Sequence, residues 1–233
     1  MNLDGARALV TGGSEGIGYA IGEALAERGA RVGLMARTEE KVREVAARLE
    51  AHPLVGDVGK EEDAVRAVAA FVDHFGGVDI LVNNAGFGDF FPLVETDLER
   101  FEAVIRTNVT GAMLMARECA RHFVAQESGN IVNISSTAGL RGVKNGGAYS
   151  GSKFALRGMT EAWRAELRPY NVRVMLVNPS EVQTNFFSKL GGEREYSEKK
   201  LRGREIADAV VGALELDNRG FIPELSVFAT NPW

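Results

Sequence analysis

The chain has 233 residues, a length at which an alternating α/β chain usually remains one unit. Hydrophobic residues make up 45% and charged residues 25%, the balance of a globular chain and not of a disordered one. With 27 Lys and Arg against 32 Asp and Glu the net charge is -5, and no basic run interleaves with aromatics, so nothing recommends a nucleic-acid partner. The single cysteine, Cys119, cannot form an internal disulfide, which points to a core-held fold in a reducing compartment. The opening MNLDGARALV lacks a basic segment followed by an apolar one, and apolar runs such as Val174 to Val177 fall far short of the ~18 residues of a membrane span. A cytoplasmic protein without membrane contact is expected. His52, His74 and His122 are far apart in sequence and outside any metal-ligand motif, so they read as surface or half-buried residues, and no metal is expected.

In chain order, Ala6 to Val10 is a short apolar run that ends at Thr11-Gly12-Gly13, as a buried strand entering a turn would. Apolar Ile21, Ala24 and Leu25 recur at helical spacing over Ile17 to Glu27, and Gly29 closes that helix. Arg31 to Met35 reads as strand two. Glu39 to Glu50 is helical, with Val42, Val45, Ala46 and Leu49 on one stripe. Pro53 to Val55 starts strand three, and Glu61 to Phe75 is the next helix. Val78 to Val82 is the strongest strand, closed by Asn83-Asn84-Ala85-Gly86. A long helix is expected over Asp97 to Phe123, with Phe101, Ile105, Ala112, Ala116 and Ala120 pointing inward. Then come strand five (Asn130 to Ile134), a helix (Tyr149 to Leu167), strand six (Val172 to Val177), a helix (Glu205 to Leu214) and a last strand within Phe221 to Val227. Strands alternating with helices imply parallel pairing through right-handed crossovers, and near-continuous apolar strands imply a sheet covered on both faces. The predicted fold class is a doubly wound parallel α/β sheet of about seven strands, one domain over 1–233.

After strand one stands Thr11-Gly12-Gly13-Ser14-Glu15-Gly16-Ile17-Gly18. Glycines at 12, 16 and 18 let the chain turn tightly, and the helix that follows aims free N–H groups and its positive dipole end at an anion. In the first crossover of an alternating chain, that arrangement points to a dinucleotide pyrophosphate. The end of strand two tests the adenosine half. An NAD site would offer a carboxylate there, but the residues are Met35-Ala36-Arg37-Thr38. The Arg37 guanidinium suits a 2′-phosphate, which favours NADP with NAD as the alternative. Glu15, an anion inside the turn, argues the other way, and Arg37 also reads as a solvated loop residue.

Tyr149-Ser150-Gly151-Ser152-Lys153 places Tyr and Lys four apart, on one face of a helix. Lowering a phenol from ~10 to ~7 takes about 4 kcal/mol. A cation at ~4 Å in an effective dielectric of ~20 supplies about that much. Lys153 beside an oxidised nicotinamide would therefore suffice to make Tyr149 a proton carrier. Thirteen residues before Tyr149, Ser136 offers a hydroxyl that can orient a substrate oxygen, with Ser135 as its rival.

Together these motifs resemble the compact, single-domain branch of the short-chain dehydrogenase/reductase family, over essentially the whole chain. The turn at 11–18 resembles that family's coenzyme motif (Gly12, Ser14, Glu15, Gly16, Ile17 and Gly18 here), Asp57-Val58 its adenine contact, and Asn84-Ala85-Gly86 its strand-four motif. Asn108, Ser136, Tyr149 and Lys153 match its catalytic tetrad. The resemblance implies hydride exchange between a nicotinamide and a carbinol or carbonyl carbon. In it Tyr149 exchanges the proton, Ser136 holds the oxygen, Lys153 binds the nicotinamide ribose, and Asn108 anchors a water behind Lys153. It also implies that the segment after strand six, with Pro179, Val182 and Thr184, holds the nicotinamide carboxamide. Ser180 replaces the family's usual glycine, and Glu181 adds a charge that reads as either a pocket wall or a solvated loop acid.

A substrate loop is expected over Phe186 to Arg202, with Gly191-Gly192 as hinge, and Gly139 to Val143 and Phe87 to Phe91 as further walls. Phe87, Phe90 and Phe91 read equally as core. The expected partners are a small-molecule alcohol or carbonyl substrate and a second or further copies of the chain, as homodimer or homotetramer. Two other classes share the fold: a catalytically silent nucleotide sensor or scaffold, against which Ser136, Tyr149 and Lys153 stand, and a sugar-nucleotide epimerase or dehydratase, which needs another glycine spacing and a larger substrate domain.

Overall fold

The computed structural model describes residues 1–184 and 197–231. Its apolar runs form strands β1 (Arg7–Thr11), β2 (Arg31–Ala36), β3 (His52–Val55), β4 (Ile80–Asn83), β5 (Gly129–Ile134), β6 (Val172–Pro179) and β7 (Glu224–Val227). They pair in parallel as one sheet in the order β3-β2-β1-β4-β5-β6-β7. The fold is the doubly wound, Rossmann-like sheet that the alternation predicts.

Parallel neighbours need crossovers, supplied by α1 (Gly16–Ala26), α2 (Glu39–Arg48), α3 (Glu61–Phe75), α4 (Leu98–Ile105), α5 (Ala112–Ala125), α6 (Gly147–Leu167) and α7 (Gly203–Glu215). Side chains alternate across each strand, so β1 feeds two cores. Ala8 and Val10 pack with α1, α2 and α7, while Leu9 packs with α3 and α5. β5 and β6 are buried along their whole length, as a sheet covered on both faces requires. Helix α3 shows how the sequence sets one of these layers. Ala64, Ala67, Val68 and Phe71 form its buried stripe, Glu61, Glu62 and Asp63 favour its N-terminal dipole end, and Gly76 ends it at φ +78. Burial of a side chain like Phe71 contributes roughly 1.5–3 kcal/mol.

The long helix over 97–123 departs from expectation. α4 ends at Ile105, and a π-helical stretch, Arg106–Gly111, joins it to α5. A π-turn holds one residue more than an α-turn, so a stripe drawn at constant period through both helices loses phase. Phe101, expected inside, is exposed and Ile105 is only half-buried, whereas Val104 takes the core position; Ala112 and Ala116 are buried and Ala120 is half-buried. Two strand starts also shift: β4 starts at Ile80, just after Asp79 and its two-point ion pair with Arg7, and β7 begins only at Glu224.

His52 and His74, distant in sequence, stack with ring centroids 4.0 Å apart at the edge of the sheet. Among the described residues no three His, Cys, Asp or Glu side chains form a metal-holding group, and no helix is long and apolar enough to cross a membrane. Cys119 is buried, which pushes its thiol pKa far up. Phe186, Phe187, Gly191 and Gly192 of the expected substrate loop lie outside the described residues.

The strand order reverses between β1 and β4, which opens a crevice beyond the carboxyl ends of the strands. The turn after β1 and the segments after β4, β5 and β6 all leave the sheet at that edge.

Candidate active site

The glycine turn is built first from the protein's own contacts. The Thr11 hydroxyl donates to the Val82 carbonyl and accepts from the Asn84 and Ala85 N–H groups at 3.0 Å each. The Asn84 amide donates back to the carbonyls of Thr11 (2.9 Å) and Gly12 (3.3 Å). A Cβ on Gly18 would lie 2.3 Å from the Gly12 oxygen and 2.4 Å from the Asn84 amide, so this glycine is demanded by packing. Gly16 is different. Its φ is +60, and a Cβ there would meet only Thr184, at 3.4 Å.

Helix α1 begins at Gly16 with Glu15 as N-cap residue, no side-chain cap bond and no acid in its first turn. By contrast, Asp97 caps α4, and the Glu205 carboxylate accepts from Arg202 at the start of α7. Thus α1 presents N–H groups and dipole to the crevice, unlike α4 and α7, whose starts carry side-chain bonds. At the end of β4, Gly86 is exposed, and a Cβ there would lie 3.0 Å from Asn108 Oδ1 and 3.7 Å from Lys153 Nζ. A bare backbone surface therefore lies beside a buried ammonium. A phosphate-facing helix start and that bare surface fit a dinucleotide with a flat ring at one end. Ser14, Ile17 and Asp57 are half-buried, Arg37 is exposed at the end of β2, and Val58 is buried against Gly111.

Helix α6 carries Tyr149 and Lys153 one turn apart. The Tyr149 hydroxyl hydrogen-bonds Ser136, at the end of β5. Ser136 Oγ also accepts from the Ala138 N–H at 3.1 Å. The rival Ser135 is buried and directs its hydroxyl at the Lys153 carbonyl, 3.4 Å away, so the second serine is the one that meets the phenol. Lys153 Nζ lies 5.8 Å from the Tyr149 ring centre and donates to the Ile134 carbonyl at 2.9 Å. Burial lowers the Lys153 pKa from 10.5 to about 8. Burial also raises the Tyr149 pKa, against the lowering effect of its bond to Ser136. Lys153 thus donates to a carbonyl, and desolvation is the larger of the two influences on Tyr149.

Asn108 sits in the π-turn, 1% exposed. Its Oδ1 accepts from Phe87 N–H (3.0 Å), and its Nδ2 donates to the Phe87 carbonyl (2.9 Å) and Ser152 Oγ (3.0 Å). Ser152 in turn donates to the Tyr149 carbonyl at 2.7 Å. The Asn108 side chain thus ties the segment after β4 to the first turns of α6.

Pro179 is buried as the last residue of β6, and beyond it Val182 is buried and bridges to Leu201. Gln183 clasps this segment from both sides. Its Nε2 donates to the Ser197 carbonyl (2.5 Å), its Oε1 accepts from Ser197 N–H (2.7 Å), and its own N–H donates to Leu201 (2.7 Å). Glu181 is exposed and pairs with Lys200 at 2.8 Å, so it sits in an ion pair at the surface. The sequence reading did not single out Thr11 Oγ1, Ser152 or Gln183. Thr11 and Ser152 lie inside motifs that were recognised by other residues. Gln183 has no local signal, because its partner is fourteen residues on.

A family model described as short chain dehydrogenase matches residues 6–195. An uncharacterised oxidoreductase of Staphylococcus saprophyticus is 34% identical over 227 residues, covering 94% of this chain and 95% of that protein. Among solved structures, a metagenomic short-chain oxidoreductase in complex with NADP shares 34% identity at a TM-score of 0.86, over 99% of this chain and 100% of that one. A 3-ketoacyl-(acyl-carrier-protein) reductase from Brucella melitensis complexed with NADH shares 28% at 0.91, over 98% of each chain.

Proposed function

The chain belongs to the short-chain dehydrogenase family, and from that premise we propose that it is an oxidoreductase exchanging hydride between NADP(H) and an alcohol or carbonyl substrate. The observation that carries this reading is the Ser136–Tyr149 hydroxyl pair with a buried ammonium one helical turn on, next to the bare surface of Gly86. Such a pair can hold a carbonyl oxygen by two O–H groups, Ser136 orienting it while Tyr149 passes the proton. The bound coenzyme supplies or accepts the hydride. Lys153 holds the nicotinamide ribose, and its charge favours the phenolate whenever a second cationic group offsets the burial of Tyr149. Asn108 acts by fixing Phe87 and Ser152, and so the approach to Tyr149; a water behind Lys153 stays part of this proposal.

For the coenzyme, Gly12 to Gly18 receive the pyrophosphate, Asp57 and Val58 the adenine, and Asn84 to Gly86 with Pro179, Val182 and Thr184 the nicotinamide half. Arg37, exposed beyond β2, supports NADP through a charge-assisted contact to a 2′-phosphate, and the NADP complex of a 34%-identical neighbour supports the same choice. NAD stays the alternative, in keeping with the NADH complex of the reductase neighbour. We expect a cytoplasmic homodimer or homotetramer.

The test is NADPH oxidation over ketones, aldehydes, 3-oxoacyl thioesters, quinones, sugars and steroids, repeated with NADH. Oxidation driven by at least one carbonyl class is expected, and none with either coenzyme overturns the reading. Arg37→Ala is expected to lower the NADPH-over-NADH preference about tenfold, the weight of one hydrogen bond to a charged group. An unchanged preference removes the NADP assignment.

A further inference from the structure

From the N-cap of α6 the order is Gly146, Tyr149, Lys153, and the two flanks of Tyr149 differ. On the C-terminal side, Lys153 is buried between the Ile134 carbonyl and Gly86. On the coenzyme placement proposed above, that side takes the nicotinamide ribose, which leaves the N-terminal side of Tyr149 for a substrate. There the neighbour is Phe90, whose ring centre lies 5.5 Å from that of Tyr149 at a tilt of 48°. Phe90 rests over Gly146, where a Cβ would come within 3.1 Å of the ring and 2.5 Å of a Val143 methyl. Glycine at 146 is what allows both apolar groups to close on the start of α6. The Phe90 ring itself is only half-buried.

The ring is also held in place. Asp89 accepts two bonds from Arg100, from Nε and Nη2, each at 2.7 Å. The same guanidinium lies 3.6 Å over the Phe91 ring, and Phe91 N–H donates to the Asn145 carbonyl at 2.8 Å. Both neighbours of Phe90 are therefore fastened, one to α4 and one to the loop that leads into α6. The Asp89–Arg100 fork cancels its own charge, so the wall next to the phenol is aromatic and electrically neutral.

Resting on the reductase reading above, we infer that Phe90 is a specificity-determining residue and that the preferred substrates carry an aryl group next to the reacting carbon. An aromatic pair contributes beyond simple area burial by an amount equal to about a three- to tenfold change in affinity. A saturated ring of the same size gains the area and forgoes that increment.

The experiment compares reduction of phenyl methyl ketone, cyclohexyl methyl ketone and 2-butanone by the full chain with NADPH. The wild type is expected to favour the phenyl over the cyclohexyl ketone about three- to tenfold, through KM more than kcat. Phe90→Leu is expected to erase that preference and Phe90→Tyr to keep it, with thermal unfolding confirming that both variants fold. Arg100→Met, which cuts the fork and leaves the ring, is expected to reduce the preference in part. Turnover without an aryl preference, or a preference that survives Phe90→Leu, overturns this inference alone. Absence of turnover with every carbonyl class in the broader screen overturns the reductase reading and this inference with it.

Discussion

The turn around Thr11 and the helix face around Tyr149 stand side by side at the same edge of the sheet, yet they are finished to different degrees. At the turn, Thr11 and Asn84 exchange hydrogen bonds across β1 and β4, and Gly18 is packed onto the Gly12 carbonyl. The protein's own contacts fix the shape of the turn. At Tyr149 and Lys153, burial raises the phenol and lowers the ammonium, so both groups are biased toward their neutral forms. One region is preorganised in geometry; the other holds its reactive groups in position while their charge state waits on what binds.

The sharpest way to break this contrast is Tyr149→Phe. Turnover is expected to fall by about 10²- to 10⁴-fold, the usual weight of a positioned proton donor, while NADPH affinity by fluorescence titration changes little. Loss of binding together with turnover would mean that Tyr149 shapes the site and does not carry the proton. A smaller effect separates the two glycines. Gly18→Ala is expected to lower the unfolding free energy by about 1–3 kcal/mol, because the methyl meets backbone. Gly16→Ala is expected to cost about 1–2 kcal/mol for its left-handed φ. It should also weaken NADPH more than Gly18→Ala does, since its methyl points into the crevice. Equal losses of affinity would erase the distinction between packing and cradle.

Lys153 supplies a pH signature. Its folded pKa of about 8 lies below the ordinary 10.5, so burying its charge carries the full penalty below pH 8, and the penalty is relieved as pH rises toward 10.5. Wild-type stability is therefore expected to rise relative to Lys153→Met between pH 8 and 10 by about 2–3 kcal/mol. Above pH 10 the raised Tyr149 pKa acts in the opposite sense, because the unfolded chain loses that proton first. Parallel denaturant titrations of the two proteins check this. The smallest expected effect is that of Gln183→Ala. Losing both bonds to Ser197 should loosen Val182 and Thr184 and raise the NADPH dissociation constant about threefold or more, as a net hydrogen bond of ~1 kcal/mol implies. An unchanged constant would leave the clasp a structural feature only.

The parts of the molecule that could be read in advance are those where local order encodes the physics. Buried parallel strands appear as the runs IVNI and VRVMLV, and the phosphate turn appears as glycines at fixed offsets. Tyr149 and Lys153 are legible because one helical turn separates them. The rest depends on long-range pairing. No periodicity in 97–123 announces the π-turn, so a stripe drawn through both helices puts Phe101 inside where the fold puts Val104. The fork from Arg100 to Asp89 spans eleven residues and the clasp from Gln183 to Ser197 fourteen, beyond any local window. The direction of the Tyr149 pKa depends on how deeply the fold buries it, which spacing alone does not state.

The π-turn at Arg106–Gly111 has a consequence for how the chain tolerates change in length. Each residue of an α-helix advances the side chains by about 100°. A π-turn takes up its extra residue within one wider turn, so deleting a single residue here would restore an unbroken helix and leave the faces of α4 and α5 nearly where they are. Val104 would keep its place in the interior, but the widened turn that carries Asn108 would be gone, and with it the bonds to Phe87 and Ser152. The extra residue therefore serves the position of one side chain more than the packing of the two helices around it.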